Sequence, residues 1–414
     1  MRLQLLFTVA TLLVASAAVH ADEKARVQAR DHRQFAIEND NSSFELNLGG
    51  RMQFQYIINS RSDTDDGGND VTNGFQFRRA WLEADGSIIR PELRFLFIGD
   101  FKSLDNTDGS LGLLEARIQY DLGNGFKVFA GEIKPRLMRE WWVPSKYQLA
   151  VDRSTAFSVF VPGYSQGVEL NYTGDRFRWQ AQILDGFGAS DSNFVSPAES
   201  DIAIDGRLEL RLGDAPWKQY ADFTSFPSGE RGVLLGIGGH WQRQGTTAAF
   251  DSNGTPTPAV DQDLVQWTAD ISAEGGGWNI FAAIVGRHVR STGPVTGRLN
   301  TGVAGPDDFD DFGAVVQGGR FLGERTELFA RWDAVFPDSD RPGGSDDLHS
   351  VTTGLNFYAI PASHAAKFTA DVTVFLDDTL GSASVFRPLQ VVNSTVPTDA
   401  GIQTIARLQF QLLF

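Results

Sequence analysis

Residues 402–414 close the chain on an alternation that few folds can satisfy. Ile402, Thr404, Ala406, Leu408, Phe410, Leu412 and Phe414 make one largely apolar face. Gln403, Ile405, Arg407, Gln409, Gln411 and Leu413 make a mixed to polar one. A period of two marks a strand whose two sides meet different solvents. A last strand must pair on both edges or leave a sticky one. Pairing back to the first strand closes a barrel, which is how a sheet survives in lipid.

The same pattern recurs through most of the chain. The first strand is expected at 44–58, where Phe44, Leu46, Leu48, Met52, Phe54 and Tyr56 alternate with Glu45, Asn47, Arg51, Gln53 and Gln55. That run is too long for an ordinary soluble strand. Further strands are read at 75–88, after 90–91, around 114–122, and at 126–134. They continue from 168 to 172, from 177 to 183 and from 202 to 212. The rest are read at 232–242, 264–273, 278–287, 312–321, 326–335, 348–358 and 366–376, before the closing one. In 75–88 the apolar parity shifts at Arg78-Arg79, which predicts a bulge. Gly123-Asn124-Gly125 predicts a tight hairpin. The fold class is therefore all-β: a transmembrane antiparallel β-barrel of sixteen strands, with short periplasmic turns and long extracellular loops. The connection 213–229 breaks that rule, being long on the short-turn side.

Met1 to Ala21 reads as an export signal, with Arg2 ahead of an apolar run and small residues near a cleavage point. Residues 22–43 are read as a short periplasmic N-terminal segment, and 44–414 as the barrel. No later run of eighteen apolar residues suggests a helical span. The chain has no cysteine, so an exported fold must rest on a large hydrogen-bonded sheet or core. Its net charge of −16, from 52 acids and 36 bases, disfavours nucleic acid as a partner. A soluble sandwich or propeller would need a dry core. Arg, Gln, Asp and Glu occupy the inner face of nearly every strand, and such a lining suits a wet lumen instead.

A closed barrel of sixteen strands is too wide for side chains to fill, so it implies an aqueous channel and passive permeation. Selectivity then falls to charges and loops at the narrowest place. The longest connection, 135–165, is expected to fold inward. It carries Arg136, Arg139, Lys146, Arg153, Glu140 and Asp152, with Trp141-Trp142 to anchor it.

Several short motifs, in order, resemble a known family. Gly74-Phe75-Gln76-Phe77-Arg78-Arg79-Ala80 looks like the paired-arginine strand of the phosphate-selective porins of the O and P type. Gly131-Glu132-Ile133-Lys134-Pro135 resembles that family's Gly-Gln-Phe-Lys-Pro signature, and Asp152-Arg153-Ser154 its Glu-Arg-Ser. Gln166-Gly167-Val168 and Asp100-Phe101 match its following strand start and the end of its third strand. The resemblance implies a trimeric barrel in the bacterial outer membrane, bathed by lipid and lipopolysaccharide. It implies a constriction that holds small anions such as phosphate or polyphosphate. Carried over, the arginines are Arg78 and Arg79, the lysine Lys134 and the orienting acid Asp100. Arg136 and Arg153 on the loop complete the expected site. Guanidinium forks suit paired phosphate oxygens, and lysine adds a point charge. The chain departs from the family at Arg136-Leu137-Met138, where small, aromatic or hydroxyl residues are usual.

The acidic balance supports a second transport reading, a general or cation-preferring pore. An outer-membrane enzyme is the remaining class. His32, His240, His288, His349 and His364 form no recognisable catalytic or metal constellation by sequence. No cofactor or metal is expected. The acidic run at Asp307-Asp308 and Asp310-Asp311 reads as solvated outer loop rather than a calcium loop.

Overall fold

The computed structural model describes residues 26–30, 34–39, 43–61, 70–101, 112–190, 199–244, 261–292, 307–340, 346–379 and 402–414. Residues 1–21, read above as an export signal, lie outside these residues.

Two short strands open the described chain, β1 (Arg26–Arg30) and β2 (Gln34–Glu38). Eight long strands follow: β3 (Glu45–Arg61), β4 (Asp70–Ile88), β5 (Arg90–Asp100), β6 (Gly112–Gly123), β7 (Phe126–Ile133), β8 (Ser165–Thr173), β9 (Phe177–Leu184) and β10 (Ile202–Gly213). Eight more complete the sheet: β11 (Gly232–Gln244), β12 (Gln262–Glu274), β13 (Trp278–Ser291), β14 (Asp307–Phe321), β15 (Thr326–Phe336), β16 (Leu348–Tyr358), β17 (Ala366–Phe375) and β18 (Gln403–Leu413). From β3 onward each strand pairs antiparallel with the next, and β18 returns to β3, closing a sixteen-stranded barrel.

The closing strand behaves as its alternation requires. Gln403, Arg407, Gln409 and Gln411 are buried inside the ring, whereas Leu408 on the other face is exposed. The pattern repeats around the wall: Ile118, Ile237, Ile284, Leu328 and Phe368 all point outward. Such an exposed apolar band belongs in hydrocarbon, where an unpaired backbone group would cost several kcal/mol and closure removes every edge. The hairpin at Gly123-Asn124-Gly125 forms because all three residues adopt positive φ, of 80°, 52° and 86°.

Two details differ from the sequence reading. Within 22–43, β2 pairs with β3 at Glu45–Leu48, below the point where β18 ends at Gly50. The first barrel strand outruns the last, and the hairpin covers the edge left over. The acidic run 307–311 is not loop: it is the first part of β14, paired along its length with β13. There Asp311 is fully buried and binds Arg287 at 2.6 Å, which offsets the cost of its burial.

Candidate functional site

The bulge in β4 decides what reaches the lumen. Gln53 faces Arg79 but Phe54 faces Phe77, so Arg78 is the extra residue. Ordinary alternation would send one of two neighbouring arginines into lipid. The bulge turns both inward, and both are buried.

Opposite them runs the connection 134–164, which crosses the lumen. It leaves β7, and Arg136 O accepts from Gln180 on β9 at 3.4 Å. It then lies along the far wall: Thr155 N donates to Asp333 on β15, and Val151 N to Asp371 on β17. It returns to the first strands through Arg51–Ser145 at 2.6 Å and Arg78–Asp152 at 3.3 Å. Glycines make room for this course. A Cβ on Gly238 would sit 2.8 Å from Leu137 O, and one on Gly313 would sit 2.7 Å from the Phe160 ring.

Within the loop are two short helices, α1 (Arg139–Trp142) and α2 (Thr155–Phe160). Ser154 caps α2, its Oγ accepting from Phe157 N at 2.9 Å. Leu137, Met138, Trp141, Phe157 and Phe160 pack against Val285, Val335, Leu348, Phe375 and Ile405 of the wall. A second apolar cluster joins Val143, Leu149 and Ala150 to Phe223, Phe281, Val315 and Phe329. Against the β13–β18 wall the loop therefore packs apolar patches, set among wall ion pairs such as Arg331–Asp333 and Arg407–Asp371. The barrel is too wide for wall side chains alone, and the loop fills the difference.

The long connection 214–231 takes part in that filling. Phe223 N donates to Tyr147 O at 3.2 Å, and His364 Nε2 and Asp222 Oδ2 lie 2.7 Å apart. Its length is explained by where it goes: up into the lumen, beneath the loop.

Toward β3–β9 the loop meets a cluster of cations. Arg51, Arg78, Arg79, Lys134 and Arg153 form one electrostatic neighbourhood. Burial, then Arg153, Arg51 and Arg79, hold Lys134 well below the usual lysine value, with Glu115 of β6 opposing. Burial, then Arg78 and Arg51, push Arg153 down to about 10 against the pull of Glu140 and Tyr164. Burial alone would raise Asp152, but Arg78, Arg407 and Arg79 outweigh it and hold the carboxyl below its ordinary range. Burial, then Glu115, raises the phenol of Tyr164, leaving a neutral hydroxyl beside the cations.

These cations are not equivalent. Arg51 pairs with Glu83 at 2.8 Å, and Arg78 with Asp152. Arg79 donates to neutral Gln53 at 2.9 Å. Arg153 donates to the carbonyls of Glu140 and Val143, each at 2.9 Å. Lys134 lies 4.4 Å from the centre of the Trp141 ring, with Trp142 O at 3.5 Å. Among the described residues, none of these last three has a carboxylate within ion-pair distance.

Of the residues expected in the site, Arg78, Arg79, Lys134 and Arg153 thus come together. Asp100 is buried on β5 as the strand partner of Trp81, whose ring lies 4.3 Å from the Arg51 guanidinium. Arg136 is turned aside. It stacks 3.6 Å from the Trp142 ring and pairs with Glu169 at 3.2 Å. Sequence reasoning gave Arg51 only as one wall arginine among many, and it did not single out Tyr164, Trp81 or Glu115. Arg51 carried a signal in its place on the inner face of β3, two residues from Gln53.

Comparisons with known proteins agree with this architecture. The family model of the phosphate-selective porins O and P matches residues 46–210. Among solved structures, the chain is similar to an anion-selective porin from Comamonas acidovorans. The two share 12% identity at a TM-score of 0.56, over 89% of this chain and 99% of that one. It is also similar to OmpT of Vibrio cholerae, with 12% identity and a TM-score of 0.52 over 93% and 100%. OmpF of Salmonella typhi matches at 12% identity and a TM-score of 0.55 over 90% and 99%. No curated protein matches the sequence. The fold is that of a bacterial outer-membrane porin, with a charged lining. Within that class, the resemblance to the phosphate-selective porins O and P rests on the matched stretch, which contains Arg78, Arg79, Asp100, Lys134, Arg136 and Arg153.

Proposed function

We propose that this porin conducts small anions by passive diffusion, with phosphate or polyphosphate-like species held briefly at Arg79, Lys134 and Arg153. The observation that carries the reading is that buried Arg79 and Arg153 and half-buried Lys134 have no carboxylate within ion-pair distance among the described residues, while Arg51, Arg78 and Arg136 beside them do. A buried cation without a counter-charge is costly. A passing anion relieves that cost and is attracted in proportion. Arg78, tied to Asp152, and Asp100, the strand partner of Trp81, orient rather than attract. The matched family and the anion-selective structural neighbour point the same way. One neighbour of the fold is described in a trimer form, and we read this chain as a homotrimer embedded in outer-membrane lipid and lipopolysaccharide.

The second reading, a general or cation-preferring pore, draws on the net charge of −16 and on the buried inner carboxylates Glu115, Glu169 and Asp205. Reversal potential of the purified protein in a planar bilayer under a potassium chloride gradient separates the two. The anion reading expects the sign set by chloride, and a chloride current blocked by added phosphate. A potential set by potassium rejects it.

A further inference from the structure

We propose that Arg139 is the positioning residue of the constriction, and that through it the periplasmic connection 214–231 sets where the filter's cations stand. Arg139 is among the largest fully buried side chains and is only 1% exposed. Among the described residues it has no carboxylate within ion-pair distance, so its burial is not offset by an ion pair. Its donors go to three neutral oxygens. Nε donates to Ser272 Oγ at 2.8 Å, Nη1 to Tyr220 O at 2.5 Å and Nη2 to Asp222 O at 3.3 Å. The first is on the barrel wall, and the other two belong to the connection. One guanidinium thus fastens the loop helix α1 to two other elements.

Three of the loop's cations take their place from α1. Lys134 lies against Trp141 and the Trp142 carbonyl, and Arg136 stacks on Trp142. Arg153 is held by the carbonyl of Glu140 and that of Val143, whose N–H closes the helix on Arg139 O. A shift of α1 therefore moves Lys134, Arg136 and Arg153 together. The side chain of Arg139 itself points away from them, into Tyr220 and Phe223, whose ring centres lie 5.9 and 5.2 Å from its guanidinium carbon. It acts through α1 rather than on the solute.

The selectivity part of this inference rests on the anion reading above; the mechanical part does not. The test uses Arg139→Met, which retains much of the apolar stem and removes all three hydrogen bonds, in the full-length protein in planar bilayers. Phosphate block of the chloride current is expected to weaken about ten-fold, the scale of losing charged hydrogen bonds. Open-channel noise should rise as α1 loosens. Arg139→Lys, which keeps the charge but loses the fork, should fall between the two. Unchanged block and unchanged noise, in a barrel that keeps its heat-modifiable gel mobility, overturn the proposal. Should Arg139→Met fail to assemble, Arg139→Lys and Ser272→Ala decide it: raised noise supports it and wild-type behaviour overturns it. If the wild-type channel shows no anion preference, the proposed function falls, while conductance and noise of the variants still rule on Arg139.

Discussion

The two sides of this barrel are built from the same alternating strands and meet the crossing loop differently. Along β13–β18 the crossing loop seals the apolar inward positions Val285, Val335, Phe375 and Ile405 into a cluster, beside paired charges such as Arg331–Asp333 and Arg407–Asp371. Along β3–β9 the inward positions are Arg51, Gln53, Arg79, Glu115, Glu169 and Gln180, with the loop turning cations toward them. Strand pattern separates lipid from lumen, but it does not separate channel from core. That second division is made by one loop with an apolar back and a basic front.

The largest effect is expected on the β13–β18 side. Phe160→Ala removes a ring held between Val285 and Gly313, and buried aromatic truncations cost about 3–5 kcal/mol. The loop should loosen, seen as a lower temperature for gel-mobility conversion and a noisier, larger conductance. If the variant matches wild type in both, the apolar packing does not hold the loop.

On the β3–β9 side, Lys134→Glu places an acid among Arg51, Arg79 and Arg153. Anion preference, measured by reversal potential, should fall by about ten-fold or reverse, with the barrel still assembled. Asp152→Asn should act in the other direction, because Arg78 and Arg407, each 3.3 Å from Asp152, lose its charge. Phosphate block should tighten by a few-fold, while stability drops because two buried cations are left less compensated.

A pH series sharpens the comparison further. The folded state holds Lys134 below the ordinary lysine value of about 10.4. Anion preference should therefore decline with rising pH below the range where ordinary lysines titrate. The sign for stability is opposite. Between the folded and unfolded values the unfolded chain binds more protons at this site, so stability rises with pH across that window. The smallest effect is expected at Lys127, which forms an exposed pair with Asp121 at 3.6 Å beside the Gly123–Gly125 turn. Lys127→Gln should leave both selectivity and stability unchanged, as exposed pairs contribute about 0–1 kcal/mol.

The wall was legible because its chemistry is periodic: all sixteen barrel strands, the bulge at Arg78 and the positive-φ turn at Asn124 follow from alternation and turn chemistry. The interior was less so. Ile405 and Leu413 broke the polar face of the last strand, and Ile405 makes sense only once the loop lies against it. The connection 214–231 carries no periodicity, and its inward course depends on partners far away in sequence, such as Arg139 and His364. Which cations stay uncompensated was also hidden, because Arg136 and Arg153 share one loop and only the fold gives Glu169 to the first.

Single-channel reversal potential, taken with phosphate titrated against a chloride current, tests the central proposal most directly: conduction runs past Arg79, Lys134 and Arg153. The account predicts a chloride-dominated potential, saturable block by phosphate, and loss of both in Lys134→Glu. A potassium-dominated potential with no phosphate block, unchanged by that substitution, would contradict it.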